Sequence, residues 1–291
     1  EGSDFKGKMN NLRIGIPSKG RLADLAAELL GQAGLNFRRQ NRSLFAPVSE
    51  MPIDITFVRS DDIPVLCSEG AIDMGITGGD MVEEAGVDVI TRLPLGIGKC
   101  RLAICIPEDS DREEAHSFDG LRVATSFPQL TKSYFSEHGA DVHLVTVSGS
   151  VEVMISLGVA DAIVDIVQTG STLAANKLRI MAEIGKFETV LVQNEQVRHA
   201  ETADRVVRRL EGVIVAREWS LLEYNIPREK LGMAEGITPG FNSPTVNTLE
   251  NADWCAVEVM VRKRDVIDAM DQLEAIGATA ILETQITNSR L

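Results

Sequence analysis

The sequence predicts an α/β chain of two similarly built lobes, followed by a smaller α+β domain of ferredoxin-like order. Three observations carry this reading. Two stretches repeat one strand–loop–helix grammar. Their strands end in loops of small or charged residues. Past Arg217 the pattern changes to short strands and helices joined by a hairpin.

The first stretch opens with an apolar strand at 12–17, the loop Ser18-Lys-Gly-Arg21 and a helix over 22–33, where Leu22, Leu25, Ala26 and Leu29 share one face. A strand at 53–58 follows, then a helix capped by Asp61 or Asp62 and carrying Ile63, Val65, Leu66 and Cys67. A strand at 73–77 runs into Gly78-Gly-Asp80 and a further helix. The second stretch has strands at 121–125, 142–147 and 162–167. Their loops are Ser126-Phe-Pro-Gln129, Ser148-Gly-Ser150 and Thr169-Gly-Ser-Thr172, with helices over 130–138, 151–157 and 172–178. The repetition is visible in residues. Ser68-Glu-Gly-Ala-Ile-Asp73 and Ser156-Leu-Gly-Val-Ala-Asp161 share Ser, Gly and Asp at equal spacing, and each precedes a Thr-Gly pair, at Thr77-Gly78 and Thr169-Gly170. Asp73 and Asp161 begin their strands and read as structural turn residues. Asp161 lies about 13 Å from Asp165 at ~3.3 Å per residue, so the two cannot grip one pair of hydroxyls. In the last part, a strand at 212–216, helices over 218–224 and 228–235, strands at 244–249 and 254–261, a helix over 264–276 stopped by Gly277, and a strand at 280–286 make a βαββαβ order. The expected division is 9–105 with 187–211 for the first lobe, 106–186 for the second and 212–291 for the small domain. Glu1 to Lys8 read as a cloning remnant ahead of Met9.

Composition narrows the function. The chain has 291 residues and a formal net charge of −14, from 43 acids against 29 bases. It offers no broad basic face for nucleic acid, so polyanionic ligands must be held locally by a few cations, a metal ion and backbone donors. The four cysteines show no C-x-x-C and no clustering with histidine, which argues against zinc and for reduced thiols. No apolar run is long enough to span a membrane and no basic-then-apolar leader opens the chain, so a cytoplasmic protein without membrane partners is expected.

The segment 161–172 is the most informative. A buried strand ends in Gln168-Thr-Gly-Ser-Thr172 and opens a helix, so that several amides and three hydroxyls can turn toward one phosphate. Asp165, near the strand's carboxyl end, can accept hydrogen bonds from sugar hydroxyls beside it. The same residues also fit an ordinary strand-to-helix turn with a Ser or Thr cap. They match neither the Walker loop nor the dinucleotide fingerprint. That the other loops of both lobes also lie at strand carboxyl ends, where open α/β sheets bind ligands, favours the phosphate reading.

Pro17-Ser-Lys-Gly-Arg-Leu22, Asp62-Ile-Pro64, Arg122-Val-Ala-Thr-Ser-Phe-Pro128, Gly149-Ser-Val-Glu152, 160–173 and Ala275-Ile-Gly-Ala278, in this order, resemble the ATP phosphoribosyltransferase family in its long, regulated form, over nearly everything from residue 11 onward. The resemblance implies a catalytic body folded like periplasmic binding proteins and a C-terminal ACT-like domain that binds histidine. It implies transfer of the phosphoribosyl group of phosphoribosyl pyrophosphate to N1 of ATP in the first step of histidine biosynthesis, with Mg²⁺ required. It also implies inhibition by histidine, AMP as a further ligand, and dimers that assemble into hexamers. On this basis Asp165, Gln168, Thr169, Gly170, Ser171 and Thr172 bind phosphoribosyl pyrophosphate. Lys19, Gly20, Arg21, Arg59, Lys99 and Arg101 meet ATP or pyrophosphate. Glu152 is a Mg²⁺ or ribose ligand, or a first-turn acid favourable to its helix. Asn225, Phe241, Ser243 and Thr245 face the effector. Asn225 stands where some relatives carry Asp, which weakens the expected grip on the effector's ammonium group. No nucleophile triad is expected, because the reaction needs positioning and charge stabilisation. Two other classes share the architecture, a solute-binding module and a non-catalytic regulatory subunit. The Thr-Gly-Ser-Thr loop and the Lys-Gly-Arg segment favour the enzyme.

Overall fold

The computed structural model describes residues 11–40, 43–168 and 170–290. The expected cloning remnant at 1–8 and Thr169 of the phosphate loop lie outside them. The chain begins with β1 (Leu12–Pro17), α1 (Arg21–Gln32), β2 (Phe45–Pro47), β3 (Ile53–Val58), α2 (Ile63–Ser68), β4 (Met74–Gly78), α3 (Gly79–Ala85) and β5 (Ile90–Pro94). It continues with β6 (Cys100–Pro107), β7 (Arg122–Thr125), α4 (Pro128–Glu137), β8 (His143–Thr146), β9 (Ala162–Val167), α5 (Ser171–Ala175) and β10 (Leu178–Phe187). Then come β11 (Thr189–Gln193), α6 (Ala200–Glu218), β12 (Trp219–Pro227), α7 (Leu231–Ile237), β13 (Thr245–Thr248), β14 (Trp254–Arg262), α8 (Val266–Ala275) and β15 (Thr279–Gln285). Two compact units result, Glu1–Glu28 with Leu35–Ala203 and Leu29–Gly34 with Asp204–Leu291.

The first unit holds two sheets of matching topology. One has the order β2-β3-β1-β4-β11-β5, the other β10-β6-β9-β7-β8. In each, the first strand lies between the second and third in parallel, as β3-β1-β4 and β8-β7-β9. A strand arriving from the other half then pairs antiparallel beside the third, β11 on β4 and β6 on β9. The duplicated aspartates hold equivalent positions. Asp73 Oδ2 accepts the Arg13 N–H at 2.8 Å and Asp161 Oδ2 accepts the Arg122 N–H at 2.9 Å. Each aspartate's own N–H returns to the same arginine's carbonyl, at 2.9 and 2.8 Å. The structural reading of both residues follows from these bonds.

Alternation along the central strands of the second sheet divides its side chains between two cores. Leu102, Ile104, Ile106, Val123, Ala162 and Val164 join Phe118 and Phe135 on one face. Ala103, Cys105, Ala124, Ile163 and Val167 join Val151 and Leu173 on the other. The second unit is a ferredoxin-like sheet, β13-β14-β12-β15, antiparallel throughout. Its core includes Leu222, Tyr224, Ile226, Val257 and Val259 from the sheet and Val266, Ala269 and Leu273 from α8. Each fully buried Val, Leu or Ile contributes ~1.5–3 kcal/mol.

Several expectations are corrected. The lobe boundary expected at 105/106 cuts β6, yet β6 pairs along its length with β9 and β10. The crossovers are instead residues 95–99 and the single residue Glu188. The strand expected at 212–216 is the last part of α6, where Val206, Leu210, Val213 and Ala216 are buried at helical spacing. The helix expected over 218–224 is the start of β12. Ser220, Leu222, Tyr224 and Ile226 alternate inward there, and β14 pairs with every residue from Trp219 to Pro227. The βαββαβ order survives because β12 replaces the misplaced strand. The helix expected over 151–157 is a 3-10 turn, Val151–Val153. That expected over 172–178 is the five-residue α5, ended by Lys177 at φ 54°. Asp62 occupies the cap position of α2 without a side-chain bond.

Candidate functional site

Strand β9 places Asp165 on the face that carries Ile163 and Val167, the face covered by the Val151–Val153 turn and α5. Glu152 comes from that turn, which Ser150 enters in the left-handed region at φ 50°. The Glu152 charge acts on Asp165. Burial pushes the Asp165 carboxyl above its ordinary range, the Ile166 N–H pulls it down, and the Glu152 charge pushes it up again. The Ile166 N–H donates to Asp165 Oδ1 at 2.8 Å.

Past Val167 the chain turns through exposed Gln168 to Gly170, which adopts φ 79° and caps α5. A Cβ added at Gly170 would meet nothing within 4 Å, so its backbone is open to close approach. Ser171 and Thr172 are exposed at the start of α5. With five residues, α5 adds little dipole, and the loop's donors rest on local amides and hydroxyls.

Beside this loop the sheet register sets a row of charge. Arg101 on β6 lies between Val167 of β9 and Lys186 of β10. A cavity of about 470 Å³ opens there, lined by Lys99, Cys100, Arg101, Val167, Gln168, Glu183, Lys186, Phe187 and Glu188. The expected nucleotide contacts Lys99 and Arg101 thus share one cavity with the expected loop residue Gln168. Arg101 and Lys186 both reach Glu183, at 3.5 and 3.4 Å, through exposed pairs of the kind that contribute ~0–1 kcal/mol. Such weak holds leave both cations able to turn to an anion. Glu183, Lys186 and Glu188 were missed by the sequence reading. Their signal was a mixed run of charge along β10 and at Glu188 just past it, which gathers around one cavity only once the register is known.

The cavity holds no activated thiol. Burial pushes Cys100 up to about 11, with the Asp80 charge adding to it. It pushes Cys105 up to about 12, raised further by Asp165 and lowered by Arg101. Cys67 is likewise pushed up to about 12 by burial, then by Asp73. Among the described residues no group of three or more His, Cys, Asp or Glu is assembled for a metal.

Lys19, Gly20, Arg21 and Arg59 are exposed at the carboxyl ends of β1 and β3 and do not line this cavity. Gly20 adopts φ 84°, and Ser18 N–H donates to Val58 O at 2.7 Å, tying the two strand ends together. Arg39, which the sequence reading passed over, donates to Ser18 O at 2.8 Å while lying 4.1 Å over the Phe57 ring. It orders the loop that presents Lys19.

In the second unit Asn225 is half-buried on β12, on the face opposite the core. It is paired with Ala256, whose other neighbour is Asn247 of β13. Phe241 is exposed and edge-on to Trp219 at 5.4 Å; Ser243 and Thr245 are exposed. A cavity of about 450 Å³ beside Trp219 and Arg264 includes none of Asn225, Phe241, Ser243 and Thr245.

Comparison with known proteins agrees along the chain. The family model "ATP phosphoribosyltransferase" matches residues 59–212, and the model of the "HisG, C-terminal domain" matches 216–288. An ATP phosphoribosyltransferase of Rhodopirellula baltica is 62% identical over 96% of this chain and 94% of its own. One of Yarrowia lipolytica is 37% identical over 99% of this chain and all of its own. Among solved structures, an ATP phosphoribosyl transferase (HisG:HisZ) complex from Thermotoga maritima matches with a TM-score of 0.60 and 30% identity. It covers 69% of this chain and 94% of the matched one. No helix among the described residues is long and apolar enough to cross a membrane.

Proposed function

The chain belongs to the ATP phosphoribosyltransferase family, whose reaction opens histidine biosynthesis, and from that membership we propose how its residues divide the work. The reaction breaks the bond between the anomeric carbon of phosphoribosyl pyrophosphate and its pyrophosphate oxygen, and joins that carbon to N1 of ATP. Gln168, Thr169, Gly170, Ser171 and Thr172 cradle the 5′-phosphate. Hydrogen bonds to a charged group contribute ~1.5–3 kcal/mol each, enough to hold an anion on a chain of net charge −14. Asp165 binds the ribose hydroxyls. Lys99, Arg101 and Lys186 hold the phosphates that border the cavity, and Lys19, Arg21 and Arg59 hold those nearer the first sheet. No covalent intermediate is needed, and the raised thiols fit that. The residues fit Mg²⁺, because Asp165 and Glu152 supply two neighbouring carboxylates and this ion is ordinarily held by one or two carboxylates plus substrate phosphates. When bound, it neutralises charge on the departing pyrophosphate.

The observation that carries this reading is that Gln168, at the end of β9, lines one cavity with Lys99, Arg101 and Lys186, while Asp165 lies three residues earlier on the same strand, within reach of the Glu152 charge. Histidine, held around Asn225, Phe241, Ser243 and Thr245, lowers the rate. AMP occupies the nucleotide site, the chain works as a homo-oligomer of dimers and hexamers, and its compartment is the cytoplasm. The test is absorbance growth on mixing protein, Mg²⁺, ATP and phosphoribosyl pyrophosphate, with and without histidine. Asp165→Ala should lose ~2–4 kcal/mol of transition-state binding, about 30- to 1000-fold in kcat/KM. Unaltered kinetics in that variant would remove Asp165 from the site, and a rate indifferent to histidine would remove the effector assignment.

A further inference from the structure

Helix α4 starts without a cap of its own. Phe127 stands at the cap position with no side-chain bond to the first turn, and Pro128 follows it. The free amides are met from the other half of the first unit. Glu84 Oε1 accepts the Gln129 N–H at 2.9 Å and Oε2 accepts the Leu130 N–H at 3.0 Å. A carboxylate taking two amides at a helix N-terminus is favoured by charge and by geometry. Glu84 belongs to α3, which follows β4 of the first sheet, whereas α4 packs on the second. Met81, one turn earlier on α3, packs against the second sheet's core.

The opposite end of α3 is tied to the crossovers. Gly79 N–H donates to Glu188 O at 2.9 Å. Glu188 Oε2 accepts the Gly96 N–H of the other crossover at 2.8 Å. Helix α3 is therefore fastened at its start to Glu188, which in turn holds the other connection, and at its end to the second sheet's first helix. The geometry points to Glu84 as a positioning residue for the transfer reaction. Its carboxylate fixes the angle between the two sheets, and with it the separation of Lys19, Arg21 and Arg59 from Asp165 and Gln168. This inference rests on the placement of substrate at those strand ends.

The test uses the full chain with Glu84→Ala, Glu84→Gln and, as a control on the same helix, the exposed Glu83→Ala. Amide hydrogen exchange is followed at Gln129 and Leu130, and KM and kcat are measured for both substrates. Glu84→Ala is expected to speed exchange at both amides and to raise both KM values on the order of tenfold, since a misplacement of about 1 Å costs up to about a hundredfold. Glu84→Gln, which keeps one acceptor, should fall between and decides the matter if the alanine variant does not fold. Glu83→Ala should match the parent. A lost cap that only depletes folded enzyme would lower apparent kcat and leave both KM values in place; that result overturns the proposal. So does unchanged exchange, or a rise confined to one substrate. If Asp165→Ala in the same assay is also silent, the substrate placement has failed, while the exchange result still reports on the Glu84 contact.

Discussion

Two aspartates at opposite ends of β9 are driven in opposite directions by their surroundings. The Asp161 carboxyl is held below its ordinary range, first by its hydrogen bond with the Arg122 side chain. That contribution to stability is present above the ordinary carboxylate value and is lost as pH falls through the lowered one. Asp165 is raised, first by burial, so its ionised form weighs against the unliganded fold as pH rises through the raised value. Asp161→Asn should therefore lower the melting temperature at neutral pH, and the difference should shrink in acid. Asp165→Asn should raise the melting temperature at neutral pH, again by less in acid, while abolishing tight binding of phosphoribosyl pyrophosphate. A scan of melting temperature against pH for both variants checks the signs. The sequence distinguished these residues by position, since Asp161 opens the strand and Asp165 nears its carboxyl end. It could not show that Glu152 would stand beside Asp165, because that depends on a left-handed Ser150 turning the chain.

At the scale of elements, what was legible was periodicity backed by a turn signal. β1, β3 and β9 fall where alternating or continuous apolar runs put them. Where the two periods competed, the local reading failed. Residues 213–215 are β-branched, yet they continue a long apolar helical stripe. Leu221, Leu222 and Glu223 are good helix formers, yet a full-length antiparallel partner is available in β14. Tertiary pairing decided both. The corrected β12 predicts a specific weakness. Tyr224 is buried and its hydroxyl meets Thr238 Oγ1 at 2.8 Å; Thr238 also bonds Ala234 O at 3.1 Å. Thr238→Val should cost about 1–3 kcal/mol by leaving buried polar atoms unpaired, seen as a lower urea midpoint for the second unit.

At the scale of the whole molecule, the repeat of Ser-x-Gly-x-x-Asp foretold two sheets built alike. The shared bonds of Asp73 with Arg13 and Asp161 with Arg122 are its physical content. The unit boundary was less accessible. Glu211 lies inside α6, and Leu29–Gly34, part of which closes α1, clusters with the second unit. A chain ending near Glu211 should then melt well below the full chain. It would end in a broken helix and would remove the partners of Gln32, whose side chain accepts from Arg217 at 2.9 Å and whose carbonyl accepts from Asn288 at 3.1 Å. Calorimetry of the two chains side by side checks this, and an equal midpoint would refute it.

Sequence alone determined the α/β class, the family and the strand-end loops, because these follow from short-range chemistry and apolar period. Only the tertiary structure decided which cations line a cavity with Gln168 and which acid neighbours Asp165. It alone also decided where the chain crosses between sheets. Those outcomes depend on register between strands distant in sequence, such as Arg101 beside both Val167 and Lys186, and register is set by the packing of whole faces rather than by any local run of residues.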